Sequence, residues 1–227
     1  MRASRRLPVE VLTPYLLDMP HPGHLPPASP LLAPMPPVVW HDIFANDHPI
    51  EIEVGFGKGL FLTTQGEARP GVNFLGIEIE RKYTLVGADR LARRKLGNVK
   101  VCCTDARWFL RERVVPGSVS AVHVYFPDPW WKTRHRKRKL FTRDFAEQCV
   151  CVLRPDGLLH FATDVEDYFV ESLDIVREVP GLKMLPTPEA PAEGLTNFER
   201  KYREEGRPIY RALWQVEINN HINNVIV

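Results

Sequence analysis

The sequence predicts an α/β fold: a mostly parallel sheet with helices on both faces. Two observations carry that prediction. From Pro49 onward, short runs suited to strands alternate with longer runs of helical periodicity, the pattern of βαβ crossover units. The strand-like runs also end on acids in turn, at Glu53, Glu78, Asp105, Asp128 and Asp164. Any one of these acids would suit the cap of a following helix. A whole edge of them points to a site, because ligands in open parallel sheets bind beyond the carboxyl ends of the strands.

The elements follow in order. Residues 1–49 are rich in proline and lack sustained periodicity, so they read as a partly irregular N-terminal arm with a short turn of helix near Val9–Leu17. Its Arg2, Arg5 and Arg6 either extend an anion-binding surface or belong to a solvated tail. Ile50–Val54 reads as a strand, Gly55-Phe56-Gly57-Lys58-Gly59 as a tight turn with Lys58 pointing outward, and Leu60–Ala68 as a helix. Asn73–Ile77 is a second strand ending at Glu78, and Arg81–Leu96 a long helix. Val99–Cys103 is the third strand, Arg107–Val114 the next helix, and Ser118–Phe126 the fourth strand. Phe141–Leu153 reads as helix, stopped by Pro155-Asp156-Gly157. Leu158–Ala162 is the fifth strand and Glu166–Val176 a further helix. Two last strands are expected near Lys183–Leu185 and Ile209–Glu217, joined by a loop containing Pro, Glu and Gly.

Composition narrows the class. A chain of 227 residues, 44% hydrophobic and 26% charged, can bury a real core. No uninterrupted apolar run approaches the ~20 residues of a membrane span. The short apolar stretch behind the basic N-terminus is broken by Pro14 and Pro20 and fails as a secretory signal. A cytoplasmic protein is expected. Cys102-Cys103 and Cys149-x-Cys151 lack zinc-site spacing and lie in apolar runs, so they read as reduced core thiols, and no metal is expected.

The net charge is only +2, yet Lys132, Arg134, Arg136, Lys137, Arg138 and Lys139 crowd together directly behind Phe126-Pro127-Asp128-Pro129-Trp130-Trp131. The two prolines stiffen the acidic elbow by fixing φ and biasing the residue before them. A basic run alone is as often a solvated face as a nucleic-acid contact; its place behind a strand end favours polyphosphate. Arg90, Arg93, Arg94 and Lys95 offer either a second contact stripe or a solvated helical face.

The glycine turn and Glu78 suit the backbone and ribose contacts of an adenosine cofactor. The dinucleotide fingerprint G-x-G-x-x-G requires glycine where Leu60 stands. A pyrophosphate also fits badly beside several carboxylates. S-adenosyl-L-methionine has no phosphate and carries a sulfonium and an ammonium, so carboxylates around it are favourable. Methyl transfer is the reaction this points to.

Four blocks then name a family. They are Glu53-Val54-Gly55-Phe56-Gly57-Lys58-Gly59, Phe126–His135 with the basic run behind it, Ala162-Thr163-Asp164, and Thr196-Asn197-Phe198-Glu199. Over approximately residues 50–214 the sequence resembles the bacterial tRNA (guanine-N7-)-methyltransferases of the TrmB type; the proline-rich arm matches poorly. The resemblance implies a Rossmann-like class I methyltransferase sheet of seven strands, the last antiparallel, in a domain spanning 50–227. It implies methylation of the variable-loop guanosine, position 46. Residues matching cofactor contacts are Glu53, Glu78, Asp105 and Asp128, with the turn glycines Gly55, Gly57 and Gly59, and Asp128 also matches the active-site residue. Lys132, Asp164, Thr196, Asn197, Phe198 and Glu199 match substrate-binding positions. Arg134, His135, Arg136, Lys137, Arg138 and Lys139 match an RNA-contacting segment. The partner implied is tRNA, with no obligate protein partner, the protein being monomer or homodimer.

Glu199 is expected to accept the guanine N1–H and N2–H donors, with Asp164 able to share that role, and Phe198, Trp130 or Trp131 to stack on the base. Three other readings remain: an NAD-dependent oxidoreductase, opposed by Leu60; an exocyclic-amine methyltransferase, since Asp128-Pro129-Trp130 is similar to an Asp-Pro-Pro-Tyr loop lacking its second proline; and a non-catalytic RNA-binding module.

Overall fold

The computed structural model describes residues 6–22, 35–130, 138–187, 189 and 196–217, and it divides into two compact units, Met1–Glu112 and Arg113–Val227. In the first unit two short helices, α1 (Val9–Leu12) and α2 (Trp40–Phe44), precede the sheet. Its strands are β1 (Ile50–Val54), β2 (Asn73–Glu78) and β3 (Val99–Cys103), followed in turn by α3 (Leu60–Ala68), α4 (Arg81–Arg94) and α5 (Ala106–Arg113). They pair in parallel in the order β3-β2-β1. Every residue of β1 and β2 is buried, as expected of parallel strands covered on both faces.

Residues 6–22 pack against the first unit's sheet and α4. Leu16 forms a parallel bridge with Val101, and the Leu17 N–H donates to the Val101 carbonyl at 2.9 Å. The edge of β3 is thereby paired rather than left open to another chain. Leu12 is fully buried, and the Leu7 N–H donates to Asp89 Oδ1 on α4 at 2.8 Å.

The second unit contains β4 (Val119–Tyr125), α6 (Arg143–Val152), β5 (Leu153–Thr163), α7 (Glu166–Arg177), β6 (Leu182–Leu185), α8 (Asn197–Glu204) and β7 (Tyr210–Val216). Its strand order is β4-β5-β7-β6, with β4 parallel to β5 and β7 antiparallel to both neighbours. Phe141, Phe145, Phe161, Tyr168 and Trp214 are buried together; Phe161 lies 4.7 Å from Phe141 and 5.8 Å from Tyr168, centroid to centroid. The seven strands make the mostly parallel sheet with an antiparallel last strand that the sequence predicts. Among the described residues no helix is long and apolar enough to cross a membrane.

Three elements depart from expectation. Pro155-Asp156-Gly157 does not end the helix ahead of a strand but lies inside β5, where the register against β4 shifts and Asp156 takes φ 61°. The extra residues make a bulge rather than a loop. Residues 197–204, expected as loop, form α8, and Trp40–Phe44 form a helix that periodicity missed because it is barely longer than one turn. Of the four thiols, Cys102 and Cys149 are buried as expected, while Cys151 is exposed.

Candidate active site

In the first unit the site begins at the turn after β1. Gly55, Gly57 and Gly59 hold φ of 75°, 54° and 72°, values that L side chains adopt only with strain. A Cβ on Gly55 or Gly57 would meet nothing within 4 Å, so this backbone faces open space. Phe56 turns the other way, into the core. Its ring lies 2.7 Å from where a Cβ on Gly76 or Gly87 would sit, so β2 and α4 both need glycine to seat it. Lys58 is exposed and points outward, as the sequence predicts.

Two carboxylates lie beneath this turn. Glu78 Oε2 accepts the Gly57 N–H at 3.0 Å, and Oε1 accepts the N–H groups of Ile79 at 2.9 Å and Glu80 at 3.1 Å. Burial pushes its carboxyl up, and the three backbone donors partly oppose that. Glu53 is fully enclosed, and among the described residues its Oε2 has no hydrogen-bond partner. Burial first, and then the nearby Glu78, push its carboxyl well above the usual range. A buried acid without a donor is costly, and a ligand cation relieves that cost. The donor set thus fits an S-adenosylmethionine ammonium, and the open turn beside it leaves room for the rest of the molecule.

Asp105 at the end of β3 also caps a helix. Its Oδ1 accepts the Arg107 N–H at 2.8 Å, and Oδ2 pairs with the Arg107 guanidinium at 3.0 Å. Burial would raise this carboxyl, but Arg107 outweighs it and holds the group below its ordinary value. Along α4, Arg93 pairs with Asp89 and Arg94 with Glu67. The solvated-face reading of that stripe therefore gains over phosphate contact.

In the second unit β4 runs into the acidic elbow. Phe126 and Trp130, on either side of Pro127-Asp128-Pro129, take φ of 53° and 45°. For bulky residues such values cost ~1–3 kcal/mol each and cluster at functional sites. The Phe126 N–H donates to the Ala162 carbonyl at 2.7 Å, and its ring packs 5.4 Å from Tyr202 and 6.4 Å from Phe198 on α8. Asp128 between them is exposed. It lies close enough to Tyr168 to help Glu171 raise the phenol, which burial already pushes up. Trp131, Lys132, Arg134, His135, Arg136 and Lys137 lie outside the described residues. Arg138 stacks 5.2 Å over Trp130. Lys139, expected as an RNA contact, has a side chain 13% exposed that sits 4.4 Å over Tyr168 and pairs with Glu171.

The Thr-Asn-Phe-Glu block opens α8. Thr196 is its N-cap, its hydroxyl accepting the Glu199 N–H at 3.1 Å. Phe198 is exposed, but Glu199 is fully buried. Glu199 Oε1 meets Arg203, one turn along the helix, and Arg211 of β7, both at 2.5 Å. Glu199, expected as a direct acceptor for guanine, thus has two guanidinium groups against its Oε1. Asp164 after β5 pairs with Arg207, whose guanidinium lies 4.1 Å over the Tyr202 ring. An open pocket of about 450 Å³ is lined by Glu189, Glu199, Arg203, Arg207, Ile209 and Arg211. Sequence reasoning missed these arginines and Tyr202. The signals were available: Thr-x-x-Glu is a capping-box pattern, Glu199 and Arg203 are spaced to pair along a helix, and Gly206 suits a C-cap.

The methyltransferase family model Methyltransf_4 matches residues 47–212. A tRNA (guanine-N(7)-)-methyltransferase of Rhodopirellula baltica is 44% identical over 184 residues, covering 76% of this chain and 68% of that one. One from Geobacter metallireducens is 36% identical over 179 residues, covering 77% and 85%. Among solved structures, the 16S rRNA (adenine(1408)-N(1))-methyltransferase of Catenulisporales acidiphilia, crystallised with its cosubstrate S-adenosylmethionine, superposes with a TM-score of 0.57 at 15% identity, covering 80% of this chain and 91% of that one. At that identity the likeness shows the fold alone.

Proposed function

The chain belongs to the tRNA (guanine-N(7)-)-methyltransferases, and from that premise we propose how its residues move a methyl group onto guanine N7 of tRNA, at the variable-loop guanosine, position 46. S-adenosylmethionine supplies an electrophilic methyl group on a sulfonium when bound. Glu53 receives its ammonium, Glu78 the ribose hydroxyls and Asp105 the adenine side, while Gly55, Gly57 and Gly59 let backbone approach closely. One observation carries this reading: the buried Glu53 Oε2 with no donor among the described residues.

Guanine N7 has a lone pair and no proton, so no general base is needed to expose it. What remains is alignment and the accommodation of positive charge arriving on the purine. Asp128, exposed on an elbow held by two prolines and the strained Phe126 and Trp130, is the catalytic residue for both tasks. Asp164 accepts the guanine N1–H and N2–H pair, which adenine cannot offer. Glu199 acts through the arginines it holds. Thr196 fixes the start of α8, Asn197 and Lys132 contact the nucleotide, and Phe198 stacks on the base, a contact worth ~1–3 kcal/mol. Arg134, His135, Arg136, Lys137 and Arg138 grip phosphates without reading sequence.

The test is incubation with methyl-labelled S-adenosylmethionine and unmodified tRNA, followed by digestion to nucleosides. Label in 7-methylguanosine, lost when guanosine 46 is replaced, is the expected result. Label in a methylated exocyclic amine would overturn the reading.

A further inference from the structure

The end of α8 places a flat cation where a base is expected. Gly206 takes φ 65°, its N–H donating to the Arg203 carbonyl at 3.1 Å, and the Arg207 N–H reaches back to the Tyr202 carbonyl at 2.9 Å. These two bonds are a Schellman cap, and they turn Arg207 back over its own helix. Its guanidinium lies 4.1 Å over the Tyr202 ring and donates to Asp164 Oδ2, with Glu205 Oε2 as a weaker partner at 3.7 Å.

A planar group stacked on an aromatic ring and donating N–H groups to a carboxylate makes the contacts that guanine needs. The N1–H and N2–H edge of guanine and the fork of a guanidinium present matching pairs of donors. We propose that Arg207 is a built-in placeholder for the target base, holding Asp164 and Tyr202 until guanine displaces it. The inference rests on the reading that Asp164 receives guanine. The Arg207 side chain is 42% exposed, against 9% for Asp164, so the arginine is free to swing out while the carboxylate stays fixed. Glu205 then offers it a partner at the surface. While the placeholder is seated the site discriminates against groups that cannot replace a donor fork, and adenine, with an acceptor at N1, is one of them.

Displacement costs an exposed ion pair and a cation–π contact, which together leave the open site populated at about one part in ten. Arg207→Ala should therefore lower KM for unmodified tRNA by about tenfold at saturating S-adenosylmethionine, with kcat within about threefold of wild type. Arg207→Lys keeps a charge but loses the fork, and should shift KM the same way by about two- to fivefold; it carries the test if the alanine variant fails to fold. An unchanged or higher KM in the folded variants would overturn the proposal, and a higher one would mean that Arg207 grips the RNA. The wild-type arm separates the two readings. Without 7-methylguanosine from wild type the assigned reaction fails; with it, but no fall in KM, only the placeholder does.

Discussion

Replacing Glu199 with alanine tests the claim that this residue organises the site from within. Its carboxylate holds Arg203 and Arg211 at 2.5 Å each and is completely buried. Removing one member of a buried ion pair costs ~3–5 kcal/mol, chiefly by stranding the remaining charge. Arg211 is 16% exposed and cannot escape, whereas Arg203 is 35% exposed and can turn to water. The lower end of that range, ~3 kcal/mol, is therefore expected. At ~2–4 °C per kcal/mol for a chain of this size, the melting temperature should fall by ~6–12 °C. Urea unfolding of wild type, Glu199→Ala, Arg211→Met and the double variant measures the coupling directly. Groups in contact couple by ~0.5–3 kcal/mol, and the upper half of that range is expected. Additivity within ~0.3 kcal/mol, with tRNA methylation lost in a fully stable Glu199→Ala protein, would refute the reasoning and return Glu199 to direct contact with the base.

Three further outcomes are expected. Asp128→Ala should lower kcat strongly with only a modest loss of RNA affinity, since the side chain is exposed; equal affinity with unchanged kcat in a steady-state assay would show the role is misplaced. If about four to six phosphates are neutralised by the basic segment, tRNA affinity should fall with salt at a log–log slope of roughly −3 to −5, and a flat dependence would remove the phosphate grip. Glu53 governs a pH effect. Its carboxyl is pushed up by burial and then by Glu78, so the folded protein keeps a proton there that the unfolded chain releases. That contribution is present below the ordinary glutamate range and is lost as pH rises through the folded value. Thermal melts of cofactor-free wild type should therefore fall relative to Glu53→Gln as pH climbs through that window, and a rising difference would contradict the assignment.

Much of the fold was legible because short strand-like runs alternate with longer helical ones, the pattern of parallel crossover units. β1, β2 and β3 stand where that alternation placed them, although β1 buries Glu51 and Glu53 among its apolar residues. Pro155-Asp156-Gly157 misled because the same residues that end a helix also make a bulge when neighbouring strands demand continued pairing. α8 was hidden by its composition: its residues are mostly charged, and it presents aromatics on one side and the Glu199–Arg203 pair on another. The glycine turn was readable because a backbone at positive φ favours one residue type, and Gly55, Gly57 and Gly59 do hold that conformation, with Glu78 bonded to the Gly57 N–H beneath them. The arginines around Glu199 and Asp164 were not, since their role comes from β7 and the cap of α8 folding back onto a strand end far away in sequence.

The central claim is that the nucleophile is the purine N7 itself. Transcribing the tRNA with 7-deazaguanosine replaces that nitrogen with carbon and leaves the N1–H and N2–H edge intact. The account predicts that this RNA still binds, competing with unmodified tRNA at a similar concentration, but accepts no methyl group. Methyl transfer to the deaza transcript at a rate near that of the ordinary one would contradict it.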